Sequence, residues 1–80
     1  MTDKLEVLRD YIRTEVGHEG DIDPHVDLLE SRILDSFSIV QMAVFIQERF
    51  EVELDADDLV RANLSRLSAM VAMIDRKLAA

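Results

Sequence analysis

Residues 36–50, SFSIVQMAVFIQERF, carry more apolar side chains than one face of a helix can hold. On a helical wheel at about 100° per residue, Ile39, Met42, Ala43, Ile46 and Phe50 fall in one arc about 100° wide, which suffices for a core face. Phe37, Val40 and Val44 form a second stripe at i, i+3 and i+7, roughly opposite Met42 and bordered by Gln41, Gln47 and Glu48. Phe45 lies on a third side and is expected to pack toward a short helix further along. Two readings compete. The helix is either buried all round, or it buries one face and leaves Phe37, Val40 and Val44 at least partly exposed as a docking strip. A chain of 80 residues has little interior to surround a helix, so the second reading is the expectation.

The remaining elements fit around this helix. Leu5, Leu8, Ile12 and Val16, with Tyr11 beside them, recur at helical spacing and predict a first helix over 3–16. Asp3 and Glu6 match a capping-box pattern at its start, and Gly17 stops it. Residues 17–34, GHEGDIDPHVDLLESRIL, contain two glycines and Pro24 and read as a long connection, pinned to the core by Val26, Leu28, Leu29, Ile33 and Leu34. Asp35 is a good N-cap for the second helix. EVELD then leaves that helix as a short extended segment. Asp55 is expected to cap a brief helical turn through Asp58, Leu59 and Val60, with Asn63 as a stop. Ser65 is expected to cap a last helix that carries Leu67, Met70, Val71, Ile74 and Leu78 on one stripe and Arg76 and Lys77 near its C-terminus. The sum is an all-α fold: a small four-helix bundle of three main helices and one short one, with a long first loop, in one domain spanning 1–80.

Composition closes off several functions. The absence of cysteine rules out a disulfide framework and a thiolate metal site. The net charge of −8 argues against binding nucleic acid or anionic membranes. No secretory signal or membrane-length apolar run is visible, so a cytoplasmic location is expected. The charge is uneven: seven acids and one arginine lie between Glu15 and Asp35, and six acids and one arginine between Glu48 and Asp58. Such a surface suits basic partners, and it also keeps a small protein soluble. No metal site is expected. His18 and His25 stand seven apart in the loop without a third strong ligand, and DIDPHVD lacks the glycine and distant bidentate glutamate of a calcium loop. Asp35 adjoins Ser36 and cannot also orient a distant imidazole, so a serine triad fails. No Gly-rich phosphate loop is present. The chain is not expected to be an enzyme.

What remains is Ser36, directly after a capping aspartate and at the head of the second stripe. The first turn of a helix has unpaired N–H groups and the positive end of its dipole, which would favour a phosphodiester on that serine. Taken alone, Asp-Ser before an apolar run is usually only a cap. The wider stretch DLLESRILDSFSIVQMAVFIQERFEVELDADDL, however, resembles the acyl and peptidyl carrier protein family, most strongly from Asp27 to Asp58, with 59–75 supporting. The Asp-Ser-Phe triplet, Leu28-Leu29-Glu30-Ser31, Phe50 and the whole-domain length carry the resemblance.

The resemblance implies a four-helix bundle in which Ser36 receives 4′-phosphopantetheine from coenzyme A through a separate, Mg²⁺-dependent phosphopantetheinyl transferase. The arm's thiol would hold an acyl or aminoacyl group as a thioester, which is consistent with a chain that has no cysteine of its own. Asp35 matches the acid that family transferases need. Phe37 matches the apolar residue after the serine, and Val40 and Val44 match positions that touch partners. Partners would be the transferase, an acyl- or aminoacyl-loading ligase or transferase, and downstream biosynthetic enzymes.

Two departures stand out. Arg32 follows LLES where many members have glycine shortly before the serine. No acid lies between Ser36 and Gln47, and Gln41 takes a place where fatty-acid carriers usually have one. Docking is therefore expected to rest on Phe37, Val40 and Val44 with Gln41 beside them. The chain looks more like a free-standing, monomeric aminoacyl or secondary-metabolite carrier, and D-alanyl carriers also resemble it. The competing functions are an unmodified helical adaptor that binds a partner through Phe37, Val40 and Val44, and a domain cut from a larger synthase.

Overall fold

The computed structural model describes residues 3–79. Four helices follow one another among them: α1 (Lys4–Val16), α2 (Ser36–Phe50), α3 (Arg61–Leu64) and α4 (Leu67–Ala79). The architecture is the all-α bundle of three long helices and one short one that the periodicity predicts. No helix is long and apolar enough to cross a membrane among the described residues.

The core is a single cluster drawn from every part of the chain. Leu8 and Ile12 come from α1, Met42, Ala43 and Ile46 from α2, Leu64 from α3, and Leu67, Met70, Met73 and Ile74 from α4. The long loop adds Ile22, Leu28 and Leu34, and the segment after α2 adds Leu54. Removing this apolar surface from water is the main favourable term in folding. Val16 and Leu78, which the stripes of α1 and α4 would include, are instead exposed at the helix ends.

Caps set the helix boundaries. Asp3 accepts the Leu5 N–H at 3.1 Å and starts α1. Gly17 ends it at φ 72°, a left-handed backbone that glycine adopts without a Cβ penalty. Asp35 starts α2 by accepting the Ser38 N–H at 2.8 Å. The carboxylate of Asp55 accepts the N–H groups of Asp57 and Asp58, as a cap should. The turn it nucleates does not become the short helix, which begins only at Arg61. Asn63 therefore lies inside α3 rather than stopping it, and its side-chain amide donates to the Asp58 carbonyl at 3.0 Å. Ser65 likewise closes α3 rather than opening α4. It is buried, and its N–H donates to the Arg61 carbonyl.

The loop over 17–35 is tied down along its length. The Leu28 N–H donates to the Ser65 carbonyl at 2.7 Å, and the Ser68 N–H to the Pro24 carbonyl at 2.9 Å. The Arg66 Nε donates to the His25 carbonyl at 3.0 Å, and the Arg9 Nε to the Ile22 carbonyl at 3.2 Å. The loop is thus stitched to the α3–α4 elbow and to α1. Asp27 organises the next turn by accepting the N–H groups of Leu29 and Glu30. That turn passes through Arg32 at φ 65°, a left-handed conformation that a side chain with a Cβ adopts at a cost.

Three results are expected. Ile46→Ala, which truncates a fully buried side chain of α2, should lower stability by about 2–5 kcal/mol, while Val40→Asp on the outer face should stay within about 0.5 kcal/mol of the parent in urea unfolding. Arg32→Gly should raise the unfolding free energy by about 0.5–1 kcal/mol, because glycine accepts the positive φ freely.

The third result concerns acid. The carboxyls of Asp35 and Asp27 are held below the ordinary carboxylate range chiefly by the backbone N–H groups of Ser38 and Glu30, and that of Asp58 chiefly by the Lys77 ammonium. A depressed folded value contributes stability that is complete above the unfolded value, about 3.9, and is lost as pH falls through the folded value. Melting temperature followed by circular dichroism should therefore fall once pH drops below about 4. Asp35→Asn, which caps without titrating, should flatten part of that fall.

Candidate functional site

Asp35 and Ser36 lie where the stitched loop meets α2, and their roles separate cleanly. The Asp35 carboxylate points at the Ser38 N–H and does the capping. Ser36, the first residue of α2, is exposed, and no described side chain bonds to its hydroxyl. A nucleophile or attachment point needs such a hydroxyl: fixed in position by a rigid element and otherwise unengaged.

The outer face of α2 continues from this residue. Phe37 is 69% exposed, Val40 61% and Val44 48%, whereas Met42 and Ile46 on the opposite face have no exposed surface. Gln41 is exposed between them. Three large apolar residues in one line along a helix of an acidic protein are an unusual surface, of the kind that marks a contact site. Phe45 does not pack toward the short helix. Its ring stacks on Tyr11 of α1 with centroids 4.1 Å apart and an interplanar angle of 21°. Burial pushes the Tyr11 phenol up, and the nearby carboxylates of Glu15 and Glu48 add to the shift.

The side of α2 that faces α3 is occupied by a cleft instead. Ile39, Ala43 and Gln47 line it together with Leu59 and Leu64, and Val40 and Val44 form its outer lip, around a volume of about 200 Å³. Leu59 is half exposed there. The segment that brings Leu59 to α2 is held from two sides. Gln47 Oε1 accepts the Leu54 N–H at 3.1 Å, and Lys77 of α4 pairs with Asp58 and, at 3.9 Å, with Asp55. Val40 and Val44 of the exposed strip therefore also line a small apolar cleft. Leu59 has no periodic partner in the sequence, and only the tertiary ties of its segment put it here.

At the other side of Ser36 is a wider, open groove of about 470 Å³, lined by Leu29, Arg32, Leu34, Asp35, Ser36 and Arg61. Arg61, at the start of α3, reaches Asp27 of the loop at 3.4 Å. Arg32 is the residue in the left-handed turn. The structure thus brings Asp35, Ser36, Phe37, Val40, Gln41 and Val44 together on one side of the molecule. It adds Leu59, Arg32 and Arg61, none of which the sequence pattern assigns to the site.

Among protein-family models, the one described as the phosphopantetheine attachment site matches residues 6–74. A comparison with curated proteins gives no match. The matched span begins in α1 and ends in α4, and so takes in the loop, the capped serine and the exposed strip. Within that span, the exposed Ser36 lines an open groove, with a cleft and an apolar strip alongside. The chain belongs to the phosphopantetheine attachment site family, whose members are non-catalytic carriers that hold 4′-phosphopantetheine covalently.

Proposed function

We propose that Ser36 is the attachment point, and that the chain carries an acyl or aminoacyl group on the arm and presents it to successive biosynthetic enzymes. The observation that carries this reading is the unengaged, exposed Ser36 hydroxyl at the head of the apolar strip, within the span that matches the family. Attached there, the group supplies a terminal thiol that takes cargo as a thioester. The chain's own residues do the rest. Asp35 caps α2 and so fixes the serine on a rigid helix end. It also offers a carboxylate beside the serine for the phosphopantetheinyl transferase to read. Phe37, Val40, Gln41 and Val44 form the surface on which the transferase, loading enzyme and downstream enzymes land. The carrier accelerates no bond change itself. Tethering raises the effective concentration of cargo at each enzyme in turn.

The charge of α2 supports a narrower reading of the cargo. Between Ser36 and Gln47 the exposed positions of α2 carry no acid, so contact with partners there rests on apolar area and on Gln41. We therefore read the chain as a carrier for aminoacyl or secondary-metabolite chemistry rather than for fatty-acid synthesis. In this reading it acts as a single free-standing domain and a monomer in the cytoplasm.

Incubation with coenzyme A, Mg²⁺ and a promiscuous phosphopantetheinyl transferase should add the mass of one phosphopantetheine to the intact protein and none to Ser36→Ala. Val40→Asp should keep the helical circular dichroism of the parent while its loading slows. If no transferase modifies the parent chain, the exposed strip favours an unmodified adaptor instead. If Val40→Asp loses its helical signal, the assignment of Val40 to the outer face is wrong.

A further inference from the structure

We propose that Arg32 and Arg61 form a cationic clamp beside Ser36 that holds a phosphodiester anion built on that residue; this rests on the reading of Ser36 as the attachment point. The two side chains come from different elements, the turn before α2 and the first residue of α3, yet line the same groove as the serine. They stand out against their surroundings. The chain has a net charge of −8, and between Glu15 and Asp35 Arg32 is the sole basic residue among seven acids, histidines aside. A phosphodiester adds a further negative charge directly beside Asp35. Without a compensating cation its formation and retention there are opposed by that carboxylate and by the acidic surface as a whole. The groove is lined by two arginines and one acid, Asp35; Asp27 partly offsets Arg61 from behind, so Arg32 is the cation with no acidic partner at hydrogen-bond distance among the described residues.

The two arginines are held differently. Arg61 is positioned from behind by Asp27 at 3.4 Å, and Asp27 is itself fixed by the N–H groups of Leu29 and Glu30. Arg32 occupies the left-handed turn at φ 65°, where glycine would be more stable. A costly backbone at an arginine that lines the groove is the pattern expected where strain serves a site. Arginine suits the task because its planar fork can give two parallel N–H donors to a phosphate.

The clamp is tested by NMR of arginine Nε–Hε groups in ¹⁵N-labelled protein before and after loading, with intact mass confirming the load. On loading, the Arg32 and Arg61 signals should shift while those of Arg9 and Arg66, which are bound to loop carbonyls, stay in place. The melting temperature of the loaded form minus that of the unloaded form should be more positive in the parent than in Arg32→Gln, and Arg32→Lys should recover part of the difference. In about 1 M salt, where the screening length falls to about 3 Å, parent and Arg32→Gln should converge. Arg61→Gln also removes the Asp27 contact, so Arg32→Gln is the diagnostic variant. If the protein loads but both arginine signals stay in place, or if Arg32→Gln shows the same loaded-minus-unloaded difference as the parent, the clamp is refuted and the carrier reading stands. If the parent does not load, the carrier reading fails and the clamp with it.

Discussion

The Leu28 N–H donates to the Ser65 carbonyl at 2.7 Å, and around this contact the rest of the site is set. Ser65 sits at the elbow between α3 and α4, and it is buried; Leu28 carries a fully buried side chain in the middle of the long loop. A backbone pair out of water has no alternative partner, so its loss leaves both groups unsatisfied. The neighbouring bonds from Ser68 to Pro24 and from Arg66 to His25 repeat the stitch one turn on. A loop that would otherwise wander is fixed to the far helices. It therefore delivers Asp35 to the start of α2 in one orientation, with Arg32 and Arg61 on the same side.

From that point the two faces of α2 have different physical duties. Met42, Ala43 and Ile46 are buried in the shared core. In a domain this small, with net stability of about 3–5 kcal/mol, most of that face is indispensable. Phe37, Val40 and Val44 add nothing comparable to folding, because they stay largely in water. Apolar surface left exposed in this way carries a standing risk of aggregation, which the acidic remainder of the chain counters. On the proposed function the strip is tolerated because every enzyme that visits the serine needs a place to land. The division of labour at the helix start has the same form. The aspartate supplies the cap, so the adjacent serine owes nothing to the fold.

Much of this was legible in the residues. Helical spacing gave α1 and α2 within a residue or so, because both have buried stripes bounded by strong caps at Asp3, Gly17 and Asp35. The sidedness of α2 was legible too, since a wheel depends only on the helical period. The segment from Asp55 to Ser65 was not. Its turn and its short helix are separated by exposed Leu59 and Val60, and its position is set by Lys77 from α4, a contact that no local pattern encodes. Phe45 shows the same limit: the wheel sets it on a third side of α2, expected to face the short helix, but it stacks on Tyr11 of α1 instead. Ile22, fully buried between Asp21 and Asp23, has no apolar neighbour to betray it. Arg32 hides the left-handed turn because glycine, the residue that usually announces one, is absent.

On the proposed function the arm is built on Ser36 and on no other hydroxyl. Trypsin should release residues 33–49, ILDSFSIVQMAVFIQER, as one peptide that holds both Ser36 and Ser38. The Ser38 N–H is already engaged by Asp35, and Ser38 as a residue is less exposed than Ser36. Tandem mass spectrometry of this peptide from the loaded protein, with fragmentation between the two serines, decides the matter. The added mass should sit on Ser36 alone; added mass on Ser38, or on any peptide outside 33–49, would refute Ser36 as the attachment point.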